Sequence, residues 1–473
     1  MEKSKFAEIF NSLSGSERKE FGKFLESPFY NTNRNLSLAY ELICENDTLP
    51  TKEEIHKHIY GDKEYKDENI RYILSELLKL SEEYLGVLNL RKHEHVIKLH
   101  TLTELNSRDL DKLFERNLKS CRKKIDEINP NDYSYHLADF EAISAERDFN
   151  SKRKEFITDQ GGRTEAMIRF YAIEILKECR FFYNQNVRSL EKESGIPMER
   201  EVLDYVQKNN FLGVPAIEII YYQVMTLLEY ENTQHFYLLK KLSEKYAEVI
   251  THVEKYNAFV ILLNYANKRI AFGDKEFIKE RLEVHKMSDK VNALTKDNYI
   301  APLRFERIVD DAIAVGDFIW AEEFIRNYGD YLPGNEKEDT ISLSYSNINY
   351  VKGDKEKALE YILKVNFEPV VLNLRKRNIT MKLYYELGYL ETLISYMDSY
   401  KHYLAKNQKQ MPPDVFEHYT NFVKAVADLT ELKSLYDKDR VDKLMIRLEK
   451  LRPGKEKHWV TEMAGKLSKD RKD

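Results

Sequence analysis

The chain has 473 residues, of which 42% are hydrophobic and 33% charged, and its formal net charge is −5. Acidic and basic residues are interleaved, so no overall positive field attracts nucleic acid or an anionic membrane. The longest uninterrupted apolar stretch, 258–263, is far shorter than a membrane-spanning helix. The N-terminus also lacks a signal-peptide pattern. We therefore expect a cytoplasmic protein that makes no contact with a membrane.

Residues that break helices are scarce. The chain has 16 glycines and 11 prolines, about half the usual shares of roughly 7% and 5%. Long helices with short turns follow from this composition. The three cysteines, Cys44, Cys121 and Cys179, are far apart and form no paired motif, so we expect neither a disulfide framework nor a zinc site.

The first informative pattern lies between residues 51 and 90. Thr51 and Glu54 form a capping-box pattern that opens a helix, and Gly61 closes it near Tyr60. A longer helix follows from Asp67, with apolar side chains at mostly three- and four-residue steps. The predicted buried stripe of this helix consists of Ile70, Ile73, Leu74, Leu77, Leu78, Leu85 and Leu88.

This order, a capped short helix, a turn and a longer helix, resembles the helix pair of a winged-helix DNA-binding domain. A recognition helix needs cationic donors for phosphates and base edges. Residues 51–95 contain eight Lys or Arg against ten Asp or Glu. Binding of nucleic acid is therefore kept only as an alternative.

Further along, residues 107–128 are predicted to form one helix with Leu110, Leu113, Phe114 and Leu118 facing inward. Another helix is expected from Tyr133 to about Phe156. The Asp-Gln-Gly-Gly sequence at 159–162 is typical of a linker. We accordingly predict an N-terminal helical domain at 1–95, a helical connector at 96–160 and a longer helical region at 161–473.

Four glycines in the C-terminal half recur at intervals of 43, 37 and 35 residues: Gly273, Gly316, Gly353 and Gly388. Each can close one helix in the left-handed conformation, and the Asp after the first three can cap the next helix. The residues five and nine positions after each glycine are all apolar, namely Ile278, Ala321, Ala358, Leu393, Leu282, Ile325, Ile362 and Met397. This repeat predicts stacked helical hairpins.

These segments resemble the tetratricopeptide-repeat (TPR) family, most clearly in the stretch from Phe305 to Pro333 with Trp320 and Ala321. The resemblance covers about 150 residues. It implies an all-α fold, a TPR-like solenoid of helical hairpins, with the N-terminal helical domain placed before it. In that family the first helix of each hairpin lines a concave groove that holds a peptide or a partner protein.

Aligning the hairpins on their turn glycines predicts the side chains that line this groove. They are Asn267, Asp310, Asn347, Tyr350, Arg375, Asn378, Lys382 and Tyr385. Amides, tyrosines and a local basic group suit an extended peptide or a C-terminal carboxylate.

Catalytic and cofactor motifs are not recognisable in the sequence. The pairs His56/His58 and His93/His95 invite a metal interpretation. On a helix, however, side chains two residues apart point about 200° from each other and cannot share an ion. We therefore expect solvated histidines, no metal and no cofactor.

The sequence thus predicts a non-enzymatic scaffold that binds a protein or peptide partner, with the oligomeric state left open. The alternative is a bacterial transcriptional regulator, with a winged-helix-like N-terminal domain and a TPR-like region for sensing or oligomerisation.

Overall fold

The computed structural model describes residues 1, 4–46, 48–154, 161–185, 195–295, 299–367, 370–449 and 455–469. Within these ranges the chain forms 23 α-helices, three short 3-10 helices and no strand, which confirms the all-α class. Packing divides the chain into two compact units, Met1–Glu174 and Ile175–Asp473. The domain boundaries expected near residues 95 and 160 stay predictions.

Unit 1 is built from eight helices and the start of a ninth. They are α1 Lys5–Ser12, α2 Gly15–Glu26, α3 Arg34–Glu45, α4 Lys52–Tyr60, α5 Asp67–Lys92, α6 Glu94–Ser107, α7 Asp111–Asp126, α8 Tyr133–Lys152 and α9 Gly162–Gln185. The expected end of α8 near Phe156 and the first two residues of the expected linker at 159–162 lie outside the described residues.

The capped helix predicted at residue 51 is confirmed. The Glu54 backbone N–H donates to the Thr51 hydroxyl and the Glu54 side chain accepts from the Thr51 N–H. Gly61 ends α4 with a φ of 69°. Satisfying these otherwise unpaired end groups fixes where the short helix begins and stops.

Aromatic side chains hold α2, α3 and α5 together. The Phe21 ring stands edge-on to Tyr40 with 5.0 Å between ring centroids. The hydroxyls of Tyr40 and Tyr84 donate to backbone carbonyls of α2, those of Arg18 and Glu17 respectively. Each buried ring therefore keeps a partner for its polar group.

The predicted stripe of α5 is wrong at Leu85, whereas Leu78 and Leu88 are partly buried and pack against the core. Leu85 is 38% exposed, whereas Tyr84 is buried in the core. The buried positions of α5 continue through Leu77, Leu80 and Tyr84, so Leu85 faces solvent. The bulkier ring takes the buried position, which a count of aliphatic residues does not anticipate.

The helix predicted over 107–128 is α7, which begins later than expected, at Asp111, because the chain turns between α6 and α7. Asp109 adopts a left-handed φ of 53°, and the Leu110 N–H bonds back to the Leu105 carbonyl. Leu110 and Leu113 are exposed as a result, and Phe114 is buried as predicted. Asp tolerates the left-handed region better than most residues, so the break needs no glycine.

The histidines expected to be solvated behave differently from one another. His56 is buried, with its ring centroid 5.0 Å from that of Tyr60 and 5.3 Å from that of Tyr65. His93 is exposed, and its Nδ1 lies 2.9 Å from the Asn89 carbonyl oxygen. The expectation was wrong for His56 because aromatic neighbours cover it.

Unit 2 contains the remaining helices. They are α10 Glu199–Lys208, α11 Pro215–Leu228, α12 Thr233–Lys245, α13 His252–Ala271, α14 Glu276–Lys290, α15 Pro302–Val315, α16 Phe318–Tyr328, α17 Lys337–Lys352, α18 Lys355–Lys364, α19 Val370–Leu387, α20 Leu390–Asn407, α21 Pro413–Ser434, α22 Lys438–Glu449 and α23 Lys455–Lys469. From α13 to α20, successive pairs form helical hairpins joined by the glycine turns.

The four turn glycines all adopt the left-handed conformation predicted for them. Their φ angles are 99°, 84°, 91° and 80° for Gly273, Gly316, Gly353 and Gly388. Of the eight apolar positions that follow them, seven are buried, and Ile278 is the exception. The turns therefore fix which side of each second helix faces the core.

The caps after these glycines were predicted correctly in two of three turns. The Asp317 and Asp354 carboxylates accept from backbone N–H groups three residues later, at 3.2 and 3.1 Å. Asp274 instead accepts from the Arg269 guanidinium at 2.8 Å, and α14 begins only at Glu276. Ile278 is only partly buried, and its neighbour Phe277 is buried instead.

Candidate functional site

The eight side chains predicted to line a groove lie on α13, α15, α17 and α19, the first helices of four hairpins. Two of them, Asn378 and Tyr385, are buried, and the other six are half-buried. We call the surface that these four helices form the first-helix face.

At one end of the first-helix face, Arg281 of α14 connects two helices. Its guanidinium donates to both carboxylate oxygens of Asp311, at 2.7 and 2.5 Å, and to the Asn267 amide oxygen at 2.5 Å. The side chains of Arg281 and Asp311 are only 13% and 3% exposed. A bidentate pair shielded from water in this way fixes the orientation of its members.

A second ion pair joins α15 to α19 and spans α17. Arg375 donates to the carboxylate of Glu306, which is buried. Burial alone would lower the pKa of Arg375, but the charge of Glu306 and the hydrogen bond outweigh it and raise that pKa. Side chains of the non-adjacent first helices α15 and α19 therefore meet at this point.

Arg307 lies between these two ion pairs and is exposed. Partial desolvation, followed by the charges of Arg281 and Arg375, lowers the pKa of Arg307, although Asp310 and Asp311 oppose the effect. Within the described ranges no carboxylate lies within 4.0 Å of its guanidinium nitrogens. Three guanidiniums thus lie close together, and Arg307 is the exposed one of the three.

Asp310 and Asn347 are brought together by the structure. The Asn347 amide nitrogen lies 3.4 Å from a carboxylate oxygen of Asp310, so the contact between α15 and α17 is long. Both side chains are half-buried. They extend the polar surface from the arginine region toward α17.

A buried histidine lies beneath this region. His285 of α14 is buried, and neither ring nitrogen has a hydrogen-bond partner in the described part of the chain. Burial, followed by the charges of Arg304, Arg281 and Arg307, holds the pKa of His285 well below its usual value. The ring is neutral at physiological pH.

At the other end of the first-helix face, Asn378 and Tyr385 are covered by α23. The Asn378 amide accepts from the Tyr400 hydroxyl at 2.8 Å and donates to Glu456 at 3.1 Å. The Tyr385 ring stands edge-on to Trp459, 5.5 Å between centroids. The groove was predicted from turn positions alone, which carry no information that α23 folds back over α19.

Tyr350 is connected to α23 through Glu386, which was not among the residues predicted from the sequence. The Glu386 carboxylate accepts from the Tyr350 hydroxyl, from the Trp459 indole N–H at 2.6 Å and from Lys355 at 2.7 Å. Burial raises the pKa of Glu386, but these three donors outweigh it and the net pKa is lowered.

Lys382 faces the aromatic side chains of α21 and α23. Its ammonium lies 5.7 Å from the ring centroids of both Phe422 and Trp459. Burial opposes ionisation of Glu456, but the nearby His418 and the charge of Lys382 lower the pKa of Glu456 to about 2. Glu456 is therefore a carboxylate at any physiological pH.

Sequence reasoning missed Arg281, Glu306, Asp311 and Glu386. A usable signal existed for two of them, because Glu306 and Asp311 stand among Phe305, Ile308, Val309 and Ala312 on the apolar side of α15. A charged residue at an inward position is expensive unless it is paired. This free-energy cost predicts an oppositely charged or hydrogen-bonding partner nearby, but it does not identify that partner.

The described part of the chain contains no group of three or more His, Cys, Asp or Glu side chains positioned to hold a metal ion. None of the helices described here combines the length and the apolar character that crossing a bilayer requires.

Comparisons with known proteins give no relative for this chain. No protein-family model matches it, and neither a curated protein nor a solved structure does.

Proposed function

We propose that unit 2 binds a partner protein or peptide through the first-helix face, as a scaffold without catalytic activity. The observation that carries the proposal is Arg307. Its side chain is exposed, and partial desolvation, followed by the charges of Arg281 and Arg375, lowers its pKa although Asp310 and Asp311 oppose the effect. A carboxylate from a partner would add a favourable charge beside these guanidiniums and accept a bidentate pair of hydrogen bonds.

The surrounding side chains support the same function. Arg281 and Arg375 are held rigid by Asp311 and Glu306, so the face is arranged before any partner arrives. A pre-ordered face loses less entropy on binding than a mobile one. Amide and carboxylate groups of Asn347 and Asp310 add further hydrogen-bonding capacity beside it.

The test is affinity capture with the full-length chain and two charge reversals. Arg307→Glu replaces the proposed donor, while Arg326→Glu makes the same change on α16, a second helix, at an exposed position. We expect a partner protein to be recovered with wild type and with Arg326→Glu and lost with Arg307→Glu. Recovery of no partner, or equal recovery with both variants, refutes the proposal.

A further inference from the structure

The C-terminal helix α23 packs against α21 and α22, and its side chains also contact α19 of the first-helix face. Its buried positions are Trp459, Val460, Met463 and Ala464, and with Glu456 they fall at i, i+3, i+4, i+7 and i+8. This is the spacing of an amphipathic helix, which can face its own core or lie in a groove of another protein. His458 and Glu462, on the other side of α23, are exposed.

The contacts of α23 are polar as well as apolar. Glu456 accepts from the Asn378 amide at 3.1 Å, and its other oxygen lies 3.8 Å from His418 Nε2. The Trp459 indole donates to Glu386 at 2.6 Å while its ring contacts Tyr385. On α23, the Glu456 carboxylate thus has a hydrogen-bond donor, and the Trp459 indole N–H has an acceptor.

These contacts fall on residues that the repeat pattern selected as partner-binding. Asn378, Lys382 and Tyr385 face α23 directly, and Tyr350 shares the Glu386 carboxylate with Trp459. A helix that only shields the end of a repeat array needs an apolar inner face and a polar outer face. Charged hydrogen bonds of the kind made by Glu456 are instead typical of specific recognition.

We propose that Tyr350, Asn378, Lys382, Tyr385 and Glu386 form a docking site for an amphipathic helix of a partner protein, and that α23 occupies this site until the partner displaces it. The partner helix carries an acidic residue, a Trp three positions later, and small or aliphatic residues one, four and five positions after the Trp. This inference rests on the proposed function and adds the class of partner and its regulation.

Attachment to the same chain gives α23 a strong advantage over a partner. A covalently tethered helix has an effective concentration on the order of millimolar. A site that is open only a small fraction of the time weakens the apparent affinity of a partner by that fraction. Weakening α23 should therefore strengthen binding in trans.

The experiment measures binding of a labelled peptide, with the sequence of residues 455–469, to the full-length chain by fluorescence anisotropy. In Trp459→Ala the attached helix loses its indole contacts, and we expect the peptide to bind at least about tenfold more tightly than to wild type. Glu456→Gln, a milder change, should act in the same direction. His458→Ala, on the exposed side of α23, is the matched control and should bind like wild type.

Adding Lys382→Glu to the Trp459→Ala chain should abolish peptide binding. The proposal is overturned if the peptide binds wild type, Trp459→Ala and Glu456→Gln equally, since α23 is then a permanent part of the fold. It is also overturned if the Trp459→Ala gain depends on dimers that exchange α23 between two copies, as detected by light scattering.

The two proposals can fail separately. Peptide binding needs no natural partner, so an unchanged peptide affinity overturns the inference even when Arg307-dependent capture succeeds. Conversely, tight peptide binding to Trp459→Ala with no protein captured by any variant shows that the site accepts a helix in trans but refutes the scaffold function.

Discussion

Replacing Asp311 with alanine should cost unit 2 much of its stability. The change leaves the Arg281 guanidinium, only 13% exposed, with the Asn267 amide oxygen but without its bidentate carboxylate. Removing one member of a buried ion pair typically costs about 3–5 kcal/mol, because the other charge stays buried without compensation. We expect a loss in this range for Asp311→Ala.

Tryptophan fluorescence during urea unfolding measures this loss selectively. The chain has two tryptophans, Trp320 and Trp459, and both lie in unit 2. The signal therefore reports on that unit, which avoids treating a chain of two units as one two-state system.

The matched control is the double variant Arg281→Met with Asp311→Leu. Apolar side chains of similar volume commonly replace a buried ion pair at little cost. The double variant should consequently be more stable than Asp311→Ala alone. A loss below about 1 kcal/mol for Asp311→Ala would refute the reasoning, since exposed pairs are worth that little.

Three further predictions address the turns, the buried histidine and the N-terminal helices. Gly316→Ala should cost about 1–2 kcal/mol by urea unfolding, because its φ of 84° strains an L-residue while no atom obstructs the new methyl group; Gly334→Ala, equally open but without that φ, should cost nothing. His285 binds its proton more weakly in the folded state than in the unfolded state. The free energy of unfolding therefore decreases as the pH falls below about 6.5, the ordinary pKa of histidine. His285→Leu should therefore flatten the acid side of the stability profile by up to about 1.4 kcal/mol per pH unit, and an unchanged profile would contradict the low pKa. In low-salt gel shifts the full-length chain should not retard DNA at micromolar concentration, since α5 exposes Glu82 and Glu83; a salt-sensitive shift would favour the regulator alternative.

The turns of unit 2 could be predicted because their cause is local. A left-handed residue at the end of a helix is best supplied by glycine, and all four glycines adopt that conformation. The same local logic failed at Asp274, where Arg269 competes for the carboxylate. It also failed at Asp109, which takes a left-handed φ without a glycine signal.

The candidate site depended on contacts that are distant in sequence. Glu306 and Arg375 are separated by 69 residues, and Asn378 and Glu456 by 78. Hydrophobic periodicity states which face of a helix is inward but not which helix covers it. Sequence reasoning thus placed eight side chains on the first helices of the hairpins, but it missed Arg307 and the ion-paired residues beside it, and it did not predict the contacts of α23.

Photo-crosslinking from α15 tests the central claim, that a partner binds the first-helix face, most directly. A photoreactive amino acid replaces either Leu303 or Arg307, which are both exposed and lie about one turn apart on α15, and a matched probe replaces Arg326 on α16. We predict a discrete crosslinked partner in cells from Leu303 and Arg307 and none from Arg326. Equal crosslinking from both helices, or none from α15, would contradict the account.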